Sequence, residues 1–356
     1  MSRSLRLATN LARHYPWVTT PFIVSAPMRV MSSPSLAVAV SNAGGLGFLG
    51  PGVKTQDIHK DLEEISTLLK TNTASANTNS ESLPVGVGFQ LWSDDVTVGI
   101  AAIERYKPCA AWLYAPHNTD TDYDHWARQI RRVSPHTHIW IQVGSLAEAT
   151  ALLSASEKPD VVVVQGAESG GHGRETDGLG LITLFPEVAD AYADSGIPLF
   201  AAGGIADGRG AAAALCLGAD GVVMGTRFLA TPEARISRGY QNEIVRASDG
   251  AASTTRTFLY NQLRGTVGWP KNYSPRTIIN QSYRDHQAGV PFEELKRLHD
   301  EALQAGDDGW GPEGRLATYA GASIGLIHGV KDADTIVREV REQVLEKFAP
   351  VGKSKL

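Results

Sequence analysis

The stretch 161-VVVVQGAESGGHGRE-175 runs four valines into a turn that holds Gly170, Gly171, His172 and Gly173. Two related runs follow, 198-PLFAAGGIADGRG-210 and 220-DGVVMGTRF-228. Each apolar run ends in glycine and is followed by a helix-like pattern. Strands buried on both faces read as unbroken apolar runs, so this repetition describes consecutive βα units of a parallel sheet. Further strand-like runs lie upstream at 22–28, 45–50, 83–90, 109–115 and 138–144, giving eight with 161–167, 197–204 and 221–228. Helical patterns at 36–42, 55–70, 94–106, 123–133, 146–155, 181–195 and 208–217 separate them. Eight alternating units predict an α/β chain closed into a (β/α)₈ TIM barrel.

After the eighth strand the pattern changes. An eighth helix is expected over 232–246, closing a barrel domain of residues 1–247. The segment 248–310 is too long for a plain loop, so it reads as an added, mostly helical capping segment that admits substrate. Helical patterns at 316–327 and 333–348 place two C-terminal helices, within 311–350, back on the barrel. The polar run TNTASANTNSES at 71–82 is expected to be a surface loop.

Of the 356 residues, 42% are hydrophobic and 20% charged, enough for a sizeable core. A net charge of −5 gives no basic face for nucleic acid. No apolar stretch reaches the roughly 18 residues that a membrane span needs, so a soluble protein is expected. Cys109 and Cys216 both read as buried small hydrophobes without metal-type spacing. His117, His125, His136 and His138 show no such spacing either, so no metal site is expected.

Residues 1–56 lack Asp and Glu, and Arg3, Arg6 and Arg13 lie among Leu and Ala. That pattern suits a mitochondrial presequence, or an N-terminal element that plugs the barrel bottom, which is the reading taken here. The tail 351–356 ends Ser354-Lys355-Leu356, the tripeptide read by the peroxisomal import receptor. The expected address is the peroxisome, with cytoplasm or mitochondrion as alternatives.

The chemistry concentrates at the strand ends. A phosphate needs several main-chain N–H donors, and glycine lets the backbone approach without a Cβ in the way. Gly203 and Gly204 after strand 7, with Gly225 and Thr226 after strand 8, stand where such barrels commonly hold a phosphate. The helix near Gly208 would add its dipole. No GxGxxG follows strand 1, so a Rossmann dinucleotide site is not indicated. Strand 1 instead ends Ala26-Pro27-Met28, a flat apolar edge suited to the face of an aromatic ring system. Gln90 and Gln142 close strands 3 and 5, where an amide can both donate to and accept from a polar ring edge. His172, flanked by glycines, can face such a ring on a strained turn. A neutral imidazole there could take a proton from carbon, and a protonated one could hold an anion. Glu175 and Asp177 stay unassigned, and Arg227 faces either the phosphate or a salt bridge outside the barrel.

The runs SAPM, AVSNAGGLGFLG, VQGAESGGHGRE, AAGGIADGRGAAAALCLGADGVVMGTRF and AGDDGWGPEGRLATYAGASIGLI resemble the nitronate monooxygenases, formerly 2-nitropropane dioxygenases. The resemblance covers about residues 20–348. It implies an FMN-bearing (β/α)₈ barrel that oxidises alkyl nitronates, propionate 3-nitronate among them, with O2 to carbonyl compounds and nitrite. It implies His172 as the catalytic histidine and Gly171 as a close approach to the cofactor. It also implies Ala26, Pro27 and Met28 along the flavin, Gln90 and Gln142 on its polar edge, and Gly203, Gly204, Gly225 and Thr226 on the phosphate. Flavin barrels that reduce enoyl thioesters share a GGH turn, so an FMN-dependent NAD(P)H reductase of quinones or enoyl thioesters is the alternative. A nucleotide dehydrogenase would need a loop cysteine near the phosphate, and neither cysteine is there. A non-catalytic flavin-binding scaffold would leave His172 without a role. Arg264, Tyr273 and Tyr283 in the cap suit an anionic substrate or a plain surface equally.

Overall fold

The computed structural model describes residues 10–50, 52–71, 82–119 and 121–349. Nine strands precede the cap: β1 Phe22–Ser25, β2 Leu46–Leu49, β3 Leu83–Gln90, β4 Pro108–Tyr114, β5 His138–Val143, β6 Val161–Gln165, β7 Gly171–Arg174, β8 Leu199–Ala202 and β9 Gly221–Met224. All except β7 form a closed parallel barrel in chain order, and β9 returns to β1 with Phe22 opposite Gly221 and Ser25 opposite Met224. The (β/α)₈ TIM barrel expected from the apolar runs is therefore the observed fold.

The valine run shows why. Val161 and Val163 face the barrel interior with Val24, Phe48, Trp112, Trp140 and Phe200. Val162 and Val164 face the outer layer, against helices that supply Leu184, Phe185 and Val188. Both faces are dry, so no polar alternation is possible; each such side chain buried contributes roughly 1.5–3 kcal/mol. Side-chain caps begin the outer helices: Ser33 for Pro34–Asn42, Asp95 for Val96–Tyr106 and Ser145 for Leu146–Leu153. Below the strands, residues 10–14 are helical and Tyr15 is fully buried as a plug. Tyr15 Oη bonds Nδ1 of His138 at 3.1 Å and accepts from Trp140 Nε1 at 2.8 Å.

The expected eighth helix spans Arg238–Arg246, and the cap after it contains helices Gly250–Ser253, Leu259–Arg264, Gln281–Gln287 and Phe292–Gln304, and two strands besides, β10 Thr254–Arg256 and β11 Tyr273–Ile278. These pair antiparallel with β7 in the order β10-β11-β7, placing Pro275 opposite His172. The expected turn around His172 is thus an edge strand of the cap sheet.

Three further expectations change. Residues 316–327 are not a helix: Ile278 N donates to Thr318 O at 2.8 Å, Tyr319 N donates to Tyr240 Oη at 2.7 Å, and only Ala322–Leu326 coil, as a 3₁₀ turn. Lateral partners satisfy this backbone, and Gly321 and Gly325 weaken any helix there. Strand 8 stops at Met224, and Thr226–Leu229 already forms a helical turn. Cys216 is exposed because it ends Gly208–Cys216 on the outer side, whereas Cys109 is buried; both are free thiols. The C-terminal helix Ala333–Phe348 packs on Gly208–Cys216, where Gly208 leaves room for Gln343. No described helix is long and apolar enough to cross a membrane. Arg3, Arg6, most of the 71–82 loop and the Ser354-Lys355-Leu356 tail lie outside the described residues.

Candidate active site

A cavity of about 910 Å³ opens at the C-terminal ends of the barrel strands. It is lined by all eleven residues singled out from the sequence: Ala26, Pro27, Met28, Gln90, Gln142, Gly171, His172, Gly203, Gly204, Gly225 and Thr226. The size lies at the upper end of small-molecule sites, about 300–1,000 Å³.

At one end stand the glycine turns after β8 and β9. Gly203 and Gly204 have φ of +98° and +74°, values that an L side chain strains to adopt. Among the described residues, no protein acceptor pairs with the main-chain N–H of Gly204, Gly225 or Thr226. Thr226 Oγ1 accepts from Gly321 N at 3.0 Å, which leaves its hydroxyl proton free and draws the C-terminal segment, with Ser323, to this end. The helix after Gly204 is not a donor here. Asp207 Oδ1 takes the Arg209 and Gly210 amides, and Gln343 Oε1 takes the Gly208 amide at 2.8 Å. An anion at this end would be held by the turns and not by that helix. Arg227 points away, donating to Gly329 O at 3.1 Å.

The middle of the cavity has a flat wall, Ala26 to Met28, braced where Ser32 Oγ donates to Ala26 O at 2.7 Å. Gln142 Oε1 accepts from Trp112 Nε1 at 3.1 Å, which orients the amide and leaves its N–H groups and one oxygen lone pair for a ligand. Gln90 is fixed through its backbone, whose N–H donates to Asp94 Oδ2 at 2.7 Å, and its side chain makes no bond among the described residues. Opposite, Gly171 has φ +65° and open space where a Cβ would be. Unpaired amides, a flat apolar wall, a free amide donor and an open backbone edge fit an anion-tailed aromatic ligand.

His172 is half-buried on β7. Its Nε2 lies 3.1 Å from Asn261 Oδ1, its ring stacks on Trp269 at 3.5 Å and 4°, and its carbonyl accepts from Tyr114 Oη at 2.6 Å. Burial above all, then the charges of Arg256 and Arg264, outweigh the Asn261 bond and push the imidazole down to about 3. The ring is therefore neutral at physiological pH. With Asn261 Oδ1 as acceptor, Nε2 carries the hydrogen and Nδ1 the lone pair.

Asn261, Trp269 and Tyr114 were not marked by the sequence. The first two reach His172 from the cap, roughly a hundred residues further on, where no local pattern could flag them. Glu175 and Asp177 do not orient the histidine: Asp177 pairs with Arg174, and Glu175 Oε2 is buried without a partner. Arg264 lines the cavity and donates to Tyr319 Oη at 2.6 Å, with no ion pair among the described residues. Tyr273 instead donates to Glu148 Oε1 at 2.9 Å, and Tyr283 packs in the cap core. No group of three described His, Cys, Asp or Glu residues could hold a metal.

The nitronate monooxygenase family model matches residues 15–77 and 123–340. A nitronate monooxygenase of Metarhizium robertsii, npaC, is 58% identical over 333 residues, covering 94% of this chain and 93% of that relative. Among solved structures, FabK from Thermotoga maritima superposes with a TM-score of 0.73 at 28% identity, covering 95% of this chain and 96% of that one. A nitroalkane oxidase from Streptomyces ansochromogenes gives a TM-score of 0.71 at 25% identity, covering 92% and 96%. The family model takes in six of the eight barrel strands, the strand that carries His172 and the cap segment, and the chain belongs to the nitronate monooxygenase family.

Proposed function

We propose that this protein is an FMN-dependent nitronate monooxygenase that converts alkyl nitronates and O2 into carbonyl compounds and nitrite. One observation carries the reading: a neutral imidazole, His172, lines the same cavity as a set of unpaired main-chain amides. The turns at Gly203-Gly204 and Gly225-Thr226 would hold the FMN phosphate. Ala26 to Met28 would lie along the ring, with Gln142 donating and Gln90 free to donate or accept at its polar edge. Bound there, FMN supplies the redox chemistry that links a nitronate to O2.

His172 handles the proton. A neutral nitroalkane gives its α-proton to the free ring nitrogen, and the nitronate charge appears beside the new imidazolium. That ion pair offsets the burial that keeps the resting ring neutral. Preformed nitronate meets the same ring as a neutral neighbour. Arg264, a cation without a carboxylate partner, favours a nitronate with a second anionic group, such as propionate 3-nitronate.

The GGH turn, shared with flavin barrels that reduce enoyl thioesters, makes an NAD(P)H-dependent reductase the reading to test against. Purified protein is expected to be yellow, to bleach anaerobically with nitronate but not with NADH or NADPH, and to release nitrite in air. Colourless protein that takes up no FMN, or bleaching by NAD(P)H alone, overturns the proposal.

A further inference from the structure

Strand β10 joins the cap sheet for three residues, and the side chain of its last, Arg256, reaches the loop that follows β6. Arg256 Nη1 donates to the main-chain oxygens of Gly171 at 3.3 Å and Ser274 at 2.5 Å. Its Nη2 donates to Ala167 O, Ser169 O and Ser169 Oγ, each at 3.2 Å. Arg276 Nη2, on β11, adds a second bond to Ala167 O at 3.2 Å. Neither guanidinium makes an ion pair among the described residues.

Burying a cation without a counter-ion is costly unless directed hydrogen bonds replace its water. Here carbonyl groups do so, and a planar guanidinium spans four of them in a way that an ammonium cannot. Those carbonyls have something in common. They belong to the loop leading into β7, to the first residue of β7 and to the residue of β11 opposite Gly173, the segments whose pairing fixes His172. The sequence makes room for this grip: a Cβ on Gly173 would lie 2.8 Å from Arg256 Nη2.

We propose that Arg256 is the positioning residue of His172, gripping main-chain oxygens on both sides of β7 so that the imidazole meets Trp269 and the cavity at one height and tilt. Arg256 touches no substrate and acts through the backbone. The kinetic part of the proposal rests on His172 acting as base, whereas the placement of the ring does not.

The test uses full-length, FMN-loaded protein carrying Arg256→Met or Arg256→Lys. Two quantities are read: the NMR shifts of the His172 ring protons, which the Trp269 ring current moves upfield in the native protein, and kcat and KM with a neutral nitroalkane. A misplacement of about 1 Å can cost up to about 100-fold, so Arg256→Met is expected to lower kcat at least ~10-fold. KM should stay within about threefold and the upfield shift should be lost. Arg256→Lys, which keeps the charge but not the fork, should restore neither in full. Retention of both shift and kcat in Arg256→Met overturns the proposal, and so does full recovery in Arg256→Lys. If the methionine variant does not fold, the lysine variant decides alone. A shift lost in the variants of a protein that oxidises neither nitroalkane nor nitronate sinks the proposed function and leaves the positioning role standing.

Discussion

The imidazole of His172 lies flat on the indole of Trp269, with ring centroids 3.5 Å apart and planes 4° from parallel. The histidine lies on β7, which grows out of the barrel loop after β6, and the tryptophan lies in the cap segment just before β11. Trp269→Leu removes the platform while leaving the bond to Asn261. A stacked aromatic pair is worth about 0.5–1.5 kcal/mol, so kcat on a neutral nitroalkane is expected to fall about 2- to 12-fold. Bound flavin should be unchanged, and steady-state kinetics on flavin-matched samples checks both.

Removing the imidazole is the stronger test. His172→Asn is expected to keep flavin and lose about 10²–10⁴ in turnover on neutral nitroalkane. The pH profile follows from the same ring. Its pKa is lowered to about 3, so the base form is complete well below neutrality. kcat/KM should therefore show no ascending limb near the free-histidine value of about 6.5. An ascending limb there would mean that His172 is solvated and protonates normally.

Gly225→Ala separates binding from folding. A Cβ at this position would meet only Met28 Sδ at 3.6 Å and Ala26 Cβ at 3.9 Å, ordinary contacts. The apoprotein should melt within about 1 °C of wild type, because a surface-type change stays within ~0.5 kcal/mol. FMN affinity should nonetheless drop at least ~10-fold, because the methyl group occupies space beside an anion-facing amide. Isothermal titration with FMN reads it directly.

Charge selection should reside in Arg264. Arg264→Met is expected to raise KM for propionate 3-nitronate by about 10-fold or more, the value of one charge-assisted hydrogen bond. KM for an uncharged alkyl nitronate should change by less than about twofold. Equal effects on both substrates would place Arg264 in structure instead of recognition.

The barrel bottom supplies a stability prediction. Burial, then the charges of His14 and Arg131, push His138 down to about 3, and burial lowers His14 as well. Both folded-state values lie below those of the free ring, so the unfolded chain binds more protons between about 3 and about 6.5. The stabilisation is whole above that window and is lost as pH falls through it. Thermal midpoints should decline between pH 7.5 and 5, by roughly 2–4 °C per kcal/mol lost. His138→Gln should flatten the decline.

The barrel was legible because its strands are dry on both faces, which leaves short β-branched runs such as Val161–Val164 that end in glycine turns. The glycine turns and the wall from Ala26 to Met28 were legible for a related reason: each sits at a strand end, where sequence position alone sets location. Long-range pairing was not. The Gly-His-Gly-Arg run carries no apolar alternation, and its partner strand β11 begins roughly a hundred residues later, so β7 read as a turn. Residues 316–327 have helical periodicity, but their backbone bonds run sideways to Ile278 and Tyr240. Asn261 and Arg256 become recognisable only once the cap has folded over the barrel.

Because β7 belongs to the cap sheet while growing from a barrel loop, lid and base are one mechanical body. Lifting the cap would carry the imidazole, together with Trp269 and Asn261, away from the glycine turns that stay with the barrel. The distance between the base and the turns after β8 and β9 is thus set by how the cap sheet seats on the barrel.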